Sequence, residues 1–423
     1  MTGENTKKDY LARKKRMEDA MAMRKPDRVP VAPIAMTFYP TNIKGISNRE
    51  AMFNMDHTYR IWREIIVAHD WDIAPPPTPL MSGRFLEIID STQIKWPGGA
   101  LQENQPWQWV EGEFVKPDEY DEMLANPNLF SIFKFWPRIS GTMAPLAELA
   151  QMKLPPLTFV TNAMALPPFL GGLLSQPQFK GILEKLLALV NEFEAHGAII
   201  HEYMNRVTSL GYPLPWGGIV SPAFDCVSDF VRGMQGSMLD MFRDPEKLLS
   251  LVEMFTPHTI ESAIAMADQA GSKGVYIPMH RGAAGFMSDE QFARFYWPCV
   301  KELFLGLVDA GYTPMPLFEG DYTPRLKYLA QLPPGKIVGH FDKIDRQKAK
   351  RTIGEVMCFW GNVPPSLLCT GTPQDVVDDV RALIDLFGDN GGLIIDCSNG
   401  LPDEARPENV RAMKEAVLEY GQY

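Results

Sequence analysis

The second half of the chain alternates short apolar runs with helical segments, and this alternation constrains the fold more than any other feature. The apolar runs typical of strands lie at 274–280, 312–320, 336–342, 356–362 and 391–400. Helical patterns lie between them near 289–310, 345–353 and 374–387. Strands that alternate with helices at this spacing predict βαβ units and a parallel sheet. Earlier strand candidates at 29–36, 157–163 and 216–220 extend the series. The pattern therefore favours a closed (β/α)8 TIM barrel over an open, doubly wound sheet.

Motifs and charge argue against nucleotide and nucleic-acid binding. No GxGxxG or GxxxxGK[ST] motif follows a predicted strand, which removes support for the nucleotide-binding versions of an α/β fold. The GTPQD sequence at 371–375 instead predicts a helix start, with Thr372 as the N-cap before Pro373. The chain has 41 Lys and Arg against 52 Asp and Glu, a net charge of −11, which suits phosphate backbones poorly.

Cysteine usage and hydropathy predict a cytoplasmic protein. Five cysteines are too few, too scattered and odd in number for a disulfide framework. The first 21 residues contain no apolar core of a signal peptide, and no uncharged apolar run reaches the roughly 18 residues of a membrane span.

The first half of the chain is less regular. Its first 25 residues predict a surface helix that ends at Pro26. From 75 to 155 a Pro-rich loop, two alternating stretches at 84–97 and 106–115 and further broken pieces predict an inserted β-hairpin and loop region. Although 423 residues would allow two or three domains, we expect one barrel over 1–423, with 75–155 as an insertion or lid.

Four successive predicted strands end in polar residues. These are His280, Glu319, His340 and the pair Asp396 and Cys397. In a TIM barrel the catalytic residues come from the carboxyl ends of several strands, so these side chains would share one rim. Imidazole, carboxylate and thiolate are zinc ligands, so the set could bind a metal. Any one of them is more simply a hydrogen-bonded loop residue, but together they favour a site.

Longer motifs resemble a known family. The sequence KPDRVPV (25–31) and the stretches 236–253, 359–380 and 392–417 are similar to the uroporphyrinogen decarboxylase superfamily. The resemblance implies a (β/α)8 barrel. The superfamily includes decarboxylases and zinc-dependent methyltransferases that work with corrinoid proteins.

Two branches of the superfamily match this chain poorly. The decarboxylase site uses an Arg-rich N-terminal loop, whereas the corresponding loop at 33–40, PIAMTFYP, contains no Arg. The thiol-alkylating methyltransferases carry a His-x-Cys-Gly zinc motif where this chain has Leu317, Phe318, Glu319 and Gly320.

The methyltransferase component of corrinoid-dependent aryl methyl ether O-demethylases is more similar, because it places a Glu about twenty residues before a His. Here residues 320–339 separate Glu319 from His340. The resemblance implies Zn²⁺ held by Glu319 and His340, with Cys397, Asp396 or His280 completing the shell. It also implies methyl transfer from a methoxyarene to the Co(I) of a separate corrinoid protein, with Glu319, His340 and His280 as catalytic residues.

Other interpretations stay open. The same fold could take a methyl group from a methylamine or a methylated thiol, or it could bind a tetrapyrrole without catalysis. Trp71, Trp216, Trp297 and Trp360, with the 23 methionines, could line an aryl pocket or simply pack in the core. We expect no nucleic-acid or membrane partner, and a homodimer is compatible with the sequence.

Overall fold

A computed structural model describes residues 3–35, 37–75, 81–151 and 163–423. The strands are β1 (Ile94–Lys95), β2 (Gln108–Trp109), β3 (Gly218–Ile219), β4 (Gly274–Met279), β5 (Thr313–Asp321), β6 (Val338–Lys343), β7 (Cys358–Trp360) and β8 (Leu393–Ile394). The helices of the first half are α1 (Gly3–Met21), α2 (Tyr39–Ile43), α3 (Asn48–Phe53), α4 (Met55–His69), α5 (Gly83–Ile89), α6 (Tyr120–Ala125), α7 (Pro127–Phe130), α8 (Trp136–Ile139), α9 (Pro145–Gln151), α10 (Leu166–Leu174) and α11 (Pro177–Ser209). Those of the second half are α12 (Ala223–Cys226), α13 (Gly233–Arg243), α14 (Pro245–Ala270), α15 (Asp289–Gln291), α16 (Trp297–Asp309), α17 (Leu326–Leu329), α18 (Arg346–Ile353), α19 (Pro365–Thr370), α20 (Pro373–Phe387) and α21 (Pro407–Tyr420).

Six of the strands form one parallel sheet in chain order, from β3 to β8. Each neighbouring pair is parallel, and a helical connection separates each strand from the next. The connection between β6 and β7 is the short helix α18. This confirms the predicted βαβ units of the second half. The β4–β5 pairing is the longest, with six consecutive residue pairs from Gly274 and Thr313 onward.

Two irregular segments, 29–35 and 71–75, close the sheet into a barrel. Residues 29–35 run parallel to the end of β8, through bridges of Val31 with Ile395 and of Ala35 with Leu401. The Asp72 amide donates to the Val31 carbonyl (2.8 Å), and the Ala74 amide donates to the Pro213 carbonyl (2.9 Å) just before β3. In the described part of the chain these two segments and β3–β8 occupy the eight strand positions of a barrel, and we call these eight elements its staves. The predicted (β/α)8 TIM barrel is therefore confirmed.

The second stave is not the segment that the sequence suggested. The candidate strand 157–163 lies outside the described residues, apart from its last position. The stave at 71–75 follows α4, whose C-cap residue Asp70 is in a left-handed conformation (φ 51°). Only four residues, 71–74, precede the prolines that begin at position 75. Four residues are too few to show the periodicity of a strand, so the sequence pattern does not predict this one.

Large side chains fill the barrel interior. Trp216 stacks on Tyr276 with ring centroids 4.6 Å apart, and Trp360 and Met315 are fully buried beside them. The four candidate pocket tryptophans are all buried in the core, so packing explains them. A cavity of about 520 Å³ does lie under α1, but it is lined by Gly274 and Thr313 at the amino ends of β4 and β5. It is therefore at the opposite end of the barrel from a TIM-barrel active site.

The helix start at Thr372 is confirmed. The Thr372 side chain accepts a hydrogen bond from the Asp375 amide, and Asp375 reaches back to the Thr372 amide, which makes a capping box at the start of α20. None of the helices in the described residues is long and apolar enough to cross a membrane.

The insertion contains the predicted hairpin, but it is shorter than expected. Ile94 and Lys95 pair antiparallel with Trp109 and Gln108. The stretch 84–89, interpreted as strand-like, is instead helix α5, capped by Asp90 in a left-handed conformation. The insertion packs on α11, with Ser82 donating to Glu192 (3.1 Å). Its role as a lid and the single-domain organisation stay predictions.

His69 makes the stability of this fold depend on pH. The imidazole stacks on Trp71 (5.2 Å, 5°) and lies 3.2 Å from the Tyr39 hydroxyl. Burial, together with the positive charge of Arg411, lowers the pKa of His69 to about 4. The unfolded chain takes up this proton below about pH 6.5, whereas the folded chain does so only near pH 4, so stability falls as the pH falls between these values.

We expect His69 to account for about 1–2 kcal/mol of the stability lost between pH 7 and pH 5. Urea unfolding of the wild type and of His69→Gln at pH 7 and pH 5 measures this contribution. The variant should lose less stability than the wild type when the pH is lowered. The control is His258→Gln, because His258 is exposed. The free energy of unfolding of this variant should depend on pH as that of the wild type does. Equal pH dependence in all three proteins would contradict the prediction.

Candidate active site

The centre of the candidate site is His280, the first residue after β4. Asp229 accepts from its Nδ1 (2.5 Å) and also from the Arg281 guanidinium (2.7 Å). Asp225, which is fully buried, accepts from the backbone amides of His280 (3.2 Å) and Arg281 (3.0 Å). Both the side chain and the backbone of His280 are therefore fixed by carboxylates from the connection after β3.

Three residues fix His280 or its partner Asp225. Asp229 and Tyr296 lie on two π-helical turns, and Asp225 lies on the helix before the first of these turns. Asp229 belongs to the π-helix Val227–Val231, which directly follows α12 with Asp225. Tyr296 ends the π-helix Phe292–Tyr296, and its hydroxyl donates to Asp225 (2.7 Å). Single π-turns inside helices are frequent at functional sites. Here they bring the two side chains onto the end of β4.

Gly282 allows a second tyrosine to approach this loop. A Cβ atom at Gly282 would lie 2.1 Å from the Tyr322 hydroxyl oxygen and 2.6 Å from the Tyr296 ring. Tyr322 is fully buried. The loop after β4 is thus packed directly against two buried tyrosines, which restricts its movement.

Glu319 faces His280 from the end of β5. Its Oε1 lies 3.7 Å from His280 Nε2, and each of the two side chains is 31% exposed. The next residue, Gly320, has φ +78°, where the β5–β6 register shifts, and its amide donates to Asp342 (2.9 Å). This irregularity turns the end of β5 and leaves Glu319 at the rim of the barrel.

The pKa values of His280 and Glu319 are both raised. Burial by itself lowers the pKa of His280, but the hydrogen bond to Asp229 and the charges of Glu319 and Asp225 outweigh it and raise the pKa to about 9. Burial raises the pKa of Glu319 above its usual range. Burial also raises the pKa of Asp225 to about 7, although His280 opposes this. The site therefore offers His280 as a partly exposed proton donor to a bound molecule, with Glu319 beside it.

His340, Asp396 and Cys397 form a separate, fully buried group. His340 Nε2 lies 3.0 Å from the Cys397 carbonyl oxygen and 3.3 Å from Asp396 Oδ2. The two Asp396 oxygens accept from the amides of Ile34 (3.0 Å) and Cys397 (2.6 Å). Burial lowers the pKa of His340 to about 4, and its ring stacks on Trp360 (4.7 Å). Its Nδ1 has no hydrogen-bond partner within the described residues.

The structure corrects the position expected for His340. The sequence suggested that a strand ends there, but β6 continues to Lys343 and His340 is its third residue. His340 pairs with Leu317, two positions before Glu319, and its side chain is 0% exposed. It therefore lies inside the barrel, below the rim that carries Glu319.

The four predicted zinc ligands do not assemble as one group. Of the His, Cys, Asp and Glu side chains in the described ranges, no three are arranged to hold a metal ion. His340 Nε2 and both Asp396 oxygens already contact backbone groups, and none of the described candidate ligands is grouped with His340 Nδ1. Glu319 faces His280. The set Glu319, His340, Cys397 and Asp396 therefore does not fit a zinc ion as it stands, and zinc stays a prediction.

The sequence did not single out Asp225, Asp229 or Tyr296. The two carboxylates are four residues apart in FDCVSD, and the only available signal was their position just after a candidate strand.

Comparison with known proteins places this site in a family. The model of the uroporphyrinogen decarboxylase (URO-D) family matches residues 182–420, which is more than half of the chain and includes both polar groups. The chain belongs to the uroporphyrinogen decarboxylase family. The resemblance inferred from the motifs is thereby confirmed at this level.

Curated members of the family are distant in sequence. A uroporphyrinogen decarboxylase of Chlorobaculum parvum is 25% identical over 184 residues, which are 42% of this chain and 51% of that protein. One of Alcanivorax borkumensis is 32% identical over 74 residues, 18% of this chain and 21% of that protein. The chain thus spans about half the length of the first curated relatives it matches.

A solved structure resembles nearly the whole chain. A methyltransferase from Methanosarcina mazei matches with a TM-score of 0.60 and 16% sequence identity, over 96% of this chain and 98% of that one. The match supports the fold, including the segments before residue 182.

Proposed function

We propose that this protein transfers a methyl group from an aryl methyl ether to the Co(I) of a separate corrinoid protein. The observation that carries the proposal is the pair of His280 and Glu319 at the carboxyl ends of β4 and β5, with 3.7 Å between Nε2 and Oε1. His280 retains its proton at neutral pH, burial raises the pKa of Glu319, and both side chains are partly open to a ligand. Family membership and the likeness to a methyltransferase structure are compatible with this chemistry.

The chemistry requires an acid at the departing oxygen. Co(I) attacks the methyl carbon, the carbon–oxygen bond breaks, and its electron pair stays on the aryl oxygen. His280 Nε2 then supplies the proton that converts this phenolate into a phenol, while Asp229 holds the ring from Nδ1. Asp225 fixes the backbone of His280, which keeps Nε2 directed at the same point as Glu319.

A protonated His280 favours an oxygen leaving group over sulfur. A phenolate is the more basic leaving group, with a conjugate-acid pKa of about 10 against about 8.5 for a thiolate, so a proton donor helps it more. A methylated thiol therefore has less need of His280 than a methoxyarene.

Zinc is a separate part of the proposal. When bound, it would supply Lewis acidity to the same oxygen. Glu319 Oε1 would be a suitable donor atom, but a catalytic zinc usually takes three protein ligands, and zinc on His280 Nε2 would displace the proton that His280 is proposed to supply. The roles given to His280, Asp229 and Asp225 do not depend on it.

The test of the proposal is methyl transfer under anaerobic conditions with a Co(I) corrinoid protein. With guaiacol or veratrole we expect the demethylated phenol to form in an amount equal to that of the methylated corrinoid. The absorption spectrum of the corrinoid protein measures how much of it is methylated. Transfer from trimethylamine or methanethiol but from neither methoxyarene would overturn the proposed donor. Absence of transfer from all four would overturn the methyltransferase function.

Elemental analysis of the purified protein tests the zinc site. Stoichiometric zinc that is lost in Glu319→Ala and His340→Ala, but kept in His258→Ala, would support the ligands implied by the resemblance. Zinc lost in Glu319→Ala and His280→Ala but kept in His340→Ala would place the metal at the rim. Full zinc content in all of these variants would contradict both.

A further inference from the structure

The cavity under α1 has no part in the proposed reaction. Its volume of about 520 Å³ is that of a pocket for a small molecule, because such pockets enclose about 300–1,000 Å³. Gly274 and Thr313 line it at the amino ends of β4 and β5. His280 and Glu319 lie at the other end of the same two strands. The cavity is therefore a separate space with its own set of side chains.

Helix α1 covers the cavity because hydrogen bonds and ion pairs hold it to one side of the barrel. Arg13 donates to the Gly211 carbonyl (2.8 Å), just before β3. Arg16 donates to Asp27 (2.7 Å) and to Asp72 (2.6 Å) in the second stave. An adjacent side of the helix lines the cavity with Tyr10, Lys14, Met17, Glu18 and Met21. The contacts of Arg13 and Arg16 therefore fix α1 over this space without filling it.

Apolar side chains form part of the cavity wall. Met17 and Met21 contribute from α1, and Ile73 and Leu214 contribute from the barrel side. Met17 is 4% exposed and Ile73 is 1% exposed, so this part of the wall is shielded from water. Methionine side chains are unbranched and flexible, and they adjust to the shape of what they contact. This part of the wall therefore suits the apolar body of a ligand.

The charged side chains that line the cavity have a positive balance, two lysines against one glutamate. Lys14 Nζ lies 3.7 Å from Glu18, and both side chains are at least half exposed. Lys273 Nζ lies 3.8 Å from Asp268, and both of these side chains are more than half exposed. Ion pairs this long and this exposed contribute little, so both ammonium groups can turn to a bound anion. In a chain with a net charge of −11, this edge of the cavity favours an anionic group.

We propose that this cavity binds a small amphipathic carboxylate. The apolar body of the ligand lies against the methionines of α1 and Ile73, and its carboxylate lies beside Lys14 and Lys273. Fixed hydrophobic contacts with a few polar groups at one edge are the usual composition of a small-molecule site. The proposal does not depend on the proposed catalytic function, because it uses none of the residues at the ends of β4 and β5.

Other classes of small molecule fit the cavity less well. An inorganic anion would leave the apolar part of the wall unused. A cationic amphiphile would meet two lysines, and an uncharged one would bind through the apolar wall alone. The charge of the ligand therefore separates the proposal from its alternatives.

Isothermal titration calorimetry of the full chain tests the proposal with decanoate and 2-naphthoate, which distinguish an alkyl from an aromatic body. We expect one carboxylate to bind per chain. It should bind at least about tenfold more tightly than 1-decanol or decyltrimethylammonium, because only the carboxylate pairs with the lysines. Saturating decanoate should also raise the thermal unfolding midpoint.

Three variants locate the bound carboxylate. Lys273→Glu reverses a charge at the cavity and should weaken binding at least about tenfold. Ala22→Trp adds bulk to a lining residue without changing the charge and should abolish binding. The matched control is Lys348→Glu, because Lys348 is 59% exposed and lies 3.6 Å from Asp345, away from the cavity. This control should bind within about twofold of the wild type.

The proposal has outcomes that would overturn it. One is the absence of saturable binding of both carboxylates, and another is binding of 1-decanol or decyltrimethylammonium as tight as that of decanoate. A third is decanoate binding that Lys273→Glu and Ala22→Trp leave unchanged, because the ligand would then bind elsewhere. If Ala22→Trp does not fold, Lys273→Glu decides the result, since it changes an exposed side chain.

Discussion

His280→Asn should lower the rate constant of methyl transfer by at least 100-fold while leaving the fold unchanged. The asparagine amide can still donate to Asp229 in place of Nδ1, but it has no group in the position of Nε2, 3.7 Å from Glu319. A positioned general acid typically contributes a factor of about 10²–10⁴, and this contribution is what the substitution removes. Single-turnover assays with veratrole and Co(I) corrinoid protein measure the rate constant, and the thermal unfolding midpoint checks the fold.

Two further variants make this result specific. His258→Asn changes an exposed histidine on α14 and should keep the wild-type rate. Asp229→Asn leaves Nε2 in place but removes the carboxylate that orients the ring, so we expect a loss of about 10–100-fold with little change in KM. A His280→Asn protein with the wild-type rate would exclude His280 as the acid.

The sequence predicts the barrel well because the second half repeats one unit. Apolar strands such as β4 and β5 are long enough to show their type, and the helices between them have clear starts such as Thr372. The first stave is indicated by the apolar run at 29–36, but the second, 71–75, has no such signal, and both make only isolated bridges and single hydrogen bonds. Their place in the barrel depends on tertiary contacts that no local pattern contains.

The strand-end rule identifies His280 and Glu319 but misplaces His340. The rule depends on the last residue of each strand, which is the least certain boundary in a sequence. For β6 an error of three residues moves His340 from the rim into the interior. The rule does not predict Asp225 and Asp229, because they lie on a helix and a π-turn rather than at a strand end. Only the tertiary fold places them beside His280.

Asp72→Asn should destabilise the protein by about 3–5 kcal/mol, the largest effect on stability that we expect from a conservative substitution. Asp72 is fully buried and accepts from Arg16 (2.6 Å), from both terminal nitrogens of Arg28 (2.8 Å) and from the Val31 amide (2.7 Å). Burial opposes its ionisation, but Arg28 and Arg16 lower its pKa. The asparagine would leave two nearly buried guanidinium groups without their shared negative charge. Urea unfolding at pH 7 measures the loss.

The control for this prediction is a pair of the same chemistry at the surface. Asp56 lies 2.9 Å from Arg60, with both side chains more than half exposed, and Asp56→Asn should cost less than about 0.5 kcal/mol. Coupling within the buried network is the sharper test: Arg28→Gln with Asp72→Asn should be less destabilising than the sum of the two single changes. Arg16 belongs to α1, Arg28 directly precedes the first stave, and Asp72 lies in the second. Additive effects would therefore mean that this network does not hold the weakly hydrogen-bonded side of the barrel closed.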